Sequence, residues 1–208
     1  MSGIRRAEKK DLSRIIEIHQ RSFPGFFLTK LGKSFLHEYY KTYFDVQHLM
    51  LVAVDRDAQV VGFVSGTSDS KLLYTTFKKK FYRFLLPTVT AMFKPTLWSA
   101  VLQKSISVIR TDSVNSQFVK PEKYCELTSL AVDPSYRGKA LGSCLIEEFS
   151  KIMSKEHDVR GILLTTDVVD NDGVINFYIR NGYDVYAHFV QGKAREMFAL
   201  VKRFDVII

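Results

Sequence analysis

One stretch constrains this chain more than any other: Tyr124 to Ser143, reading YCELTSLAVDPSYRGKALGS. An apolar run suited to a strand (Tyr124 to Val132) passes through Asp133-Pro134 into a short loop of small and basic residues. Leu141, Cys144, Leu145, Phe149 and Ile152 then mark one face of a helix reaching about Ser154, with Cys144 expected in the core. A strand that bends through glycines into a helix N-terminus is a ready anion site. The first-turn N–H groups have no partner there, and the helix dipole is positive. Gly138 and Gly142 let backbone approach a phosphate, while Arg137 and Lys139 add charge. The same features also describe an ordinary strand-to-helix turn, so the loop alone does not decide a function.

The surrounding pattern alternates. Ile4 to Ala7 reads as a short strand, and Asp11-Leu-Ser13 opens a helix to about Ser22, broken by Phe23-Pro24-Gly25. A second helix is expected from about Leu31 to Phe44, with Phe35, Tyr39 and Tyr43 on one stripe. Strands follow at 49–55 and 60–67, joined by a hairpin turn. Residues 70–108 break the alternation. Lys78-Lys79-Lys80 interrupts an amphipathic series of Leu73, Phe77, Phe81, Phe84 and Leu85, and Pro87 and Pro95 divide the segment into two expected short helices. Gly161 to Asp167 reads as a buried strand and Asp172 to Arg180 as a short helix capped by Asn181-Gly182. Tyr183 to Val190 and Ala194 to Lys202 form a final hairpin. This order predicts a single α/β domain over 1–208, with helices on both faces of a sheet and a helical insertion at about 70–108.

Composition narrows the function classes. At 208 residues, 46% apolar and 25% charged, the chain can bury a core without a structural metal, and disorder is excluded. The two cysteines, Cys125 and Cys144, provide neither a disulfide framework nor a zinc motif, and the five dispersed histidines provide no ligand pair, so no metal is expected. The N-terminus lacks a signal-peptide core, and no apolar run approaches the ~20 residues of a membrane span. The expectation is a cytoplasmic protein. A net charge of +8 suits an anionic ligand. It also suits nucleic acid, for which the sequence shows no recognised motif.

Two blocks together are more specific than either alone. The first is Leu130-Ala-Val-Asp-Pro followed by Arg137-Gly-Lys-Ala-Leu-Gly142. The second is Asn171-Asp-Gly-Val-Ile-Asn-Phe-Tyr178-Ile-Arg-Asn-Gly182-Tyr183. They resemble the cofactor motifs of the GNAT superfamily, the acetyl-CoA-dependent N-acetyltransferases, closely over 123–203 and loosely over 4–68. Val174 stands where that pattern has Ala, and Ala140 where it has Gly. If position 140 requires positive φ, its Cβ costs about 1–2 kcal/mol; if it is helical, Ala is harmless.

The resemblance implies a mixed, mostly antiparallel sheet in which two parallel strands, here 124–132 and 161–167, splay apart around acetyl-CoA. It implies a bulge late in the first strand that frees Leu130, Ala131 and Val132 for the acetyl and pantetheine amides. It implies a pyrophosphate seat at Arg137, Gly138, Lys139, Ala140, Leu141, Gly142 and Ser143, with Asn171 and Tyr178 along the pantetheine arm. Tyr178 is the candidate proton donor to the departing thiolate, and Glu126, six residues before Val132, the candidate general base. A solvent-edge or salt-bridged glutamate is the competing reading, and a water can replace such a base. Cys125 faces away from Glu126 on the strand and reads as a small buried hydrophobe rather than an acyl carrier.

Four residues are candidates for the acceptor: Phe26 and Phe27 in the Phe23–Thr29 loop, which also reads as a hydrophobic staple between two helices, Tyr124 on the Glu126 face, and His188 in the last hairpin, which also reads as an exposed strand histidine. The Ser-Phe-Pro-Gly-Phe-Phe-Leu-Thr phrase resembles GNAT proteins of surface-polysaccharide amino sugars. The expected activity is acetyl transfer to a primary amine of a small molecule, such as an amino sugar or sugar nucleotide. The alternatives are a peptide α-amine acetyltransferase and an acetyl-CoA-binding regulator without turnover. The insertion reads as a lid or homodimer contact in preference to a membrane-touching helix.

Overall fold

The protein, described by a computed structural model over residues 3–44, 48–89, 118–156, 158–192 and 194–204 (the side chains of Phe27 and 80–89 excepted), is organised by one seven-stranded sheet. Its strands are β1 (Ile4–Arg6), β2 (His48–Val54), β3 (Val60–Thr67), β4 (Tyr124–Val132), β5 (Gly161–Asp167), β6 (Asp184–Gln191) and β7 (Arg195–Arg203), in the order β1-β2-β3-β4-β5-β7-β6. Every neighbouring pair is antiparallel except β4–β5. β2 and β3 are near-continuous apolar runs rather than alternating ones because helices cover both of their faces.

On one face lie α1 (Leu12–Ser22), the short α2 (Phe27–Lys30), α3 (Lys33–Lys41) and α4 (Ser70–Val89). Ile15, Ile18, Leu36, Tyr40, Leu73 and Phe77 pack there against Val52 and Phe63. On the other face α5 (Leu141–Glu156) and α6 (Asp172–Arg180) set Leu145, Phe149, Met153 and Tyr178 against Leu49, Val64, Cys125 and Ile162.

Three expectations for the helices change. The helix expected over Leu31–Phe44 starts at Lys33, behind Gly32 at φ +90°, and closes as a 3-10 turn over Thr42–Phe44. The first of the two short helices expected in the insertion is a 20-residue helix that runs past Pro87 to Val89. A proline deletes one rung of the ladder, at about 3 kcal/mol, without dismantling the turns before it. Pro95, Trp98 and the second expected helix lie outside the described residues. Cys144 is half-buried rather than core, because the buried stripe of α5 is Leu145, Ile146, Phe149 and Met153, and Cys144 flanks it.

β4 carries its irregularity in mid-strand. Ser65 pairs with Ser129 but Gly66 pairs with Leu127, so Thr128 is an extra residue. Its Oγ1 donates to the Ser65 carbonyl at 3.0 Å. The extra residue turns the strand over. Cys125 and Leu127 join the α5–α6 core before it, as do Leu130 and Val132 after it, whereas Ser129 and Ala131 face α1 and α3. The bulge thus comes earlier than the late position expected from the family pattern, and Gly66 makes room for it. A Cβ at 66 would lie 2.4 Å from the Phe149 ring and 2.5 Å from the Glu126 carbonyl oxygen. Gly66→Ala is therefore expected to cost about 2 kcal/mol and lower Tm by roughly 4–8 °C, read by thermal unfolding.

Candidate active site

β4 and β5 pair only at Tyr124–Gly161, Cys125–Ile162 and Glu126–Leu163. Beyond that point β5 continues with β7 as far as Asp167–Met197, and β4 continues with β3, so a wedge opens between the two parallel strands. The Asp133 N–H bonds the Val61 carbonyl at 2.8 Å. By antiparallel alternation Leu130 and Val132 then turn their N–H and C=O groups into the wedge. Ser22 Oγ donates to the Val132 carbonyl at 3.3 Å, which sets the end of α1 at the wedge's mouth.

The loop after β4 is held from two sides. The Asp133 carboxylate is buried, caps the 3-10 turn Pro134–Tyr136 through the Ser135 N–H at 2.9 Å, and meets Arg14 and Arg21 of α1, each at 2.7 Å. Burial alone would raise its pKa, but that N–H and the two guanidiniums hold it below the usual carboxylate value. Tyr136 OH donates to Asp55 at 2.8 Å and ties the loop to the β2–β3 turn. Gly138 sits at φ +78° and Ala140 at φ +56°. Ala140 is thus not helical, and carries the left-handed strain of about 1 kcal/mol that its Cβ entails. Among the described residues no N–H from Gly138 to Ser143 has a backbone acceptor, and Cys144 is the first to bond back, to Ala140. Arg137 and Lys139 are exposed, Lys139 with its ammonium 4.9 Å from the Tyr136 ring centre. Gly142 lets α6 close on α5, since a Cβ there would stand 3.1 Å from the Phe177 ring.

Tyr178 lies on α6, edge-on to Phe177 and Tyr183, and its hydroxyl has no partner among the described residues. Burial pushes its pKa upward, so it stays protonated at neutral pH. Asn171 is at the start of α6, but its amide donates to Thr166 Oγ1 at 2.7 Å and the Asp167 carbonyl at 2.8 Å. It thereby fastens the end of β5, and only its Oδ1 is left for a ligand. Cys125 is buried on the α5–α6 face and its thiol is pushed up to about 12 by burial.

On the opposite face Glu126 accepts hydrogen bonds from Ser70 Oγ at 2.5 Å and Tyr74 OH at 3.0 Å, both on α4, and Lys120 Nζ stands 3.6 Å away. The Glu126 charge and burial hold the Tyr74 hydroxyl protonated, so it remains a donor. Behind this group Tyr39 OH, Tyr43 OH and Thr128 Oγ1 link at 3.0 and 2.6 Å, and His19, Tyr40 and Ser129 form a second chain at 2.7 and 3.3 Å. Tyr124 lies on the Glu126 face, beside Phe118 and Leu163. Phe26 is half exposed and edge-on to Phe23, whereas the Phe27 side chain lies outside the described residues. His188 is not brought to this group. It pairs in register with Phe198, whose ring packs on the α5–α6 side, and its Nε2 stands 3.5 Å from Glu196. Sequence reasoning missed Ser70, Tyr74 and Lys120, because they flank or belong to the insertion and carry no motif. It also missed the clamp on Asp133, although that residue stood inside the quoted phrase.

A sequence model of the acetyltransferase (GNAT) family matches residues 12–183. The chain belongs to the GNAT family. It is an acyltransferase by that membership, and its mixed α/β sheet is the one found in solved GNAT structures. A chimera of the spermidine N-acetyltransferase SpeG from Vibrio cholerae and hSSAT superposes at TM-score 0.60 with 14% identity, covering 97% of this chain and 94% of that one. The PaiA N-acetyltransferase of Thermoplasma acidophilum, solved with coenzyme A, gives 0.59 and 18%, covering 98% and 99%. An aminoglycoside 6'-acetyltransferase gives 0.61 and 14%, covering 97% and 96%. A search of curated protein sequences finds no match. Among the described residues, no helix is long and apolar enough to cross a membrane, and no group of His, Cys, Asp and Glu is arranged to hold a metal ion.

The two thiols are expected to behave differently. At pH 8 a group with pKa about 12 is ionised to about one part in ten thousand. A thiol-reactive dye should label Cys144 in the folded protein and reach Cys125 only after unfolding.

Proposed function

We propose that this GNAT protein transfers an acetyl group from acetyl-CoA to a primary amine of a small molecule, by direct attack within a ternary complex. The observation that carries this reading is the wedge between β4 and β5, open from Leu127 onward and flanked by the unpaired N–H groups of Gly138–Ser143. Those groups fit a pyrophosphate: they are consecutive, hold the positive end of α5, and stand beside Arg137 and Lys139. The Leu130 and Val132 backbone fits the amides of a pantetheine arm, and the Leu130 N–H suits the thioester oxygen. Acetyl-CoA, when bound, supplies an electrophilic thioester carbonyl and a thiolate leaving group.

The chain's own residues supply the rest. Glu126 receives the proton of the acceptor amine, directly or through a water. Tyr178 holds a proton for the sulfur. Asn171 keeps the β5 side of the wedge in place and offers Oδ1 to the arm. For the acceptor, the half-exposed Phe26 with Phe23, in the segment that follows Ser22, offers an aromatic surface, and Tyr124 a second ring on the Glu126 face. Such surfaces suit the apolar face of a sugar ring, and this supports an amino sugar or sugar nucleotide as the substrate class.

Tyr178→Phe keeps the packing and removes the proton; it is expected to lower kcat about a hundredfold while the KM for acetyl-CoA changes little. Undiminished turnover at all pH values would reject the role. Arg137→Glu is expected to weaken acetyl-CoA binding by about tenfold, read by calorimetry, and unchanged affinity would remove the pyrophosphate assignment.

A further inference from the structure

The candidate base already has a primary amine beside it. Lys120 Nζ stands 3.6 Å from Glu126 Oε2 and donates to Ser70 Oγ at 2.8 Å, and Ser70 donates in turn to the same carboxylate oxygen at 2.5 Å. The Lys120 side chain keeps 26% exposure, whereas Lys123 keeps 51% and points to Asp158. A lysine stem normally carries its ammonium out into water, so a largely covered one held on a carboxylate needs a reason. Its location is specific. Glu126 is the last residue of β4 paired with β5, so Lys120 meets it at the apex of the wedge, on the face of Tyr74 and Tyr124. Any acceptor amine must come within hydrogen-bond reach of the base, directly or through one water. Lys120 Nζ already stands there.

Resting on the acetyl-transfer reading above, we propose that Lys120 is an internal acceptor, and that the chain acetylates its own Nζ. Glu126, or a water it holds, takes one proton from the Lys120 ammonium. The freed nitrogen lone pair forms the bond to the acetyl carbonyl carbon. The thioester C–S bond breaks, its electron pair goes to sulfur, and the Tyr178 hydroxyl protonates that sulfur before regaining a proton from solvent. The second proton on nitrogen passes to solvent. In sum, a lysine ammonium and a thioester give an amide, a free thiol and a proton, with no change of oxidation state. The amide is uncharged, so Glu126 loses its cationic neighbour.

The test uses the full-length protein with acetyl-CoA and no added amine, followed by intact mass and peptide mapping. One acetyl group per chain is expected, at Lys120, forming at least ~10-fold faster than at the more exposed Lys123. Glu126→Gln and Tyr178→Phe are each expected to slow it about a hundredfold. Lys120→Arg should carry no acetyl group at 120 and still bind coenzyme A as the natural chain does, measured by calorimetry. Saturable coenzyme A binding with Lys120 left unmodified overturns self-acetylation while leaving transfer to outside amines standing. So does acetylation that favours Lys123 and is indifferent to both active-site variants. Absence of saturable coenzyme A binding removes both readings together.

Discussion

Backbone N–H and C=O groups inside a sheet must find partners, and in this protein β4 leaves some of its own unpaired on one side. The parallel ladder with β5 stops at Glu126–Leu163, because β5 bends away to follow β7 while β4 stays on β3. Everything else at the site answers to that divergence. α1 reaches across to the Val132 carbonyl, Asn171 fastens the departing end of β5, and the loop from Asp133 to Ala140 lifts a row of free N–H groups over the opening. An α/β sheet could have closed this seam with ordinary pairing. It remains open because the strands on either side pair with other neighbours, β4 with β3 and β5 with β7.

The loop shows how strain and fixation are balanced. Ala140 occupies a backbone region that disfavours any Cβ, at about 1 kcal/mol. Nothing in Ala140 itself recovers that cost. The recovery comes from its neighbours: a buried carboxylate with two arginines at one end of the loop, a tyrosine–aspartate hydrogen bond in its middle, and a sixteen-residue helix at the other end. The strained residue is thus held by contacts made elsewhere.

Much of this was legible in the sequence, for physical reasons. β4, β5 and α6 fall where the apolar runs and turn residues put them, because a strand bounded by Asp-Pro, or a helix ended by Asn-Gly, has little freedom to shift. The bend after β4 was legible at Gly138, which takes the positive φ that glycine permits, whereas the φ of Ala140 was left open by the sequence and stands at +56° in the structure. The surroundings of Glu126 were not legible. Ser70, Tyr74 and Lys120 meet Glu126 across more than 50 positions of chain in the first two cases, and no local period encodes that meeting. His188 is an exposed strand histidine, and its face was not legible for a related reason: alternation along a strand says that faces differ, not which face of the sheet each one joins. The long α4 was read as two pieces because a proline signals a lost hydrogen bond, while helix continuity depends on all the other bonds around it.

The extra residue at Thr128 has a wider meaning. It lets one strand address two compartments, presenting Glu126 to the tyrosines on one side and Leu130 and Val132 to the seam on the other. Remove that single position and the half of the strand before it would roll over, pointing Cys125 toward the tyrosines and hiding the glutamate among the aliphatic residues under α5. The segment between Tyr124 and Val132 is therefore bound by its length as well as by its chemistry. Substitutions there trade one contact for another, whereas an insertion or deletion would exchange the inside of the site for its outside.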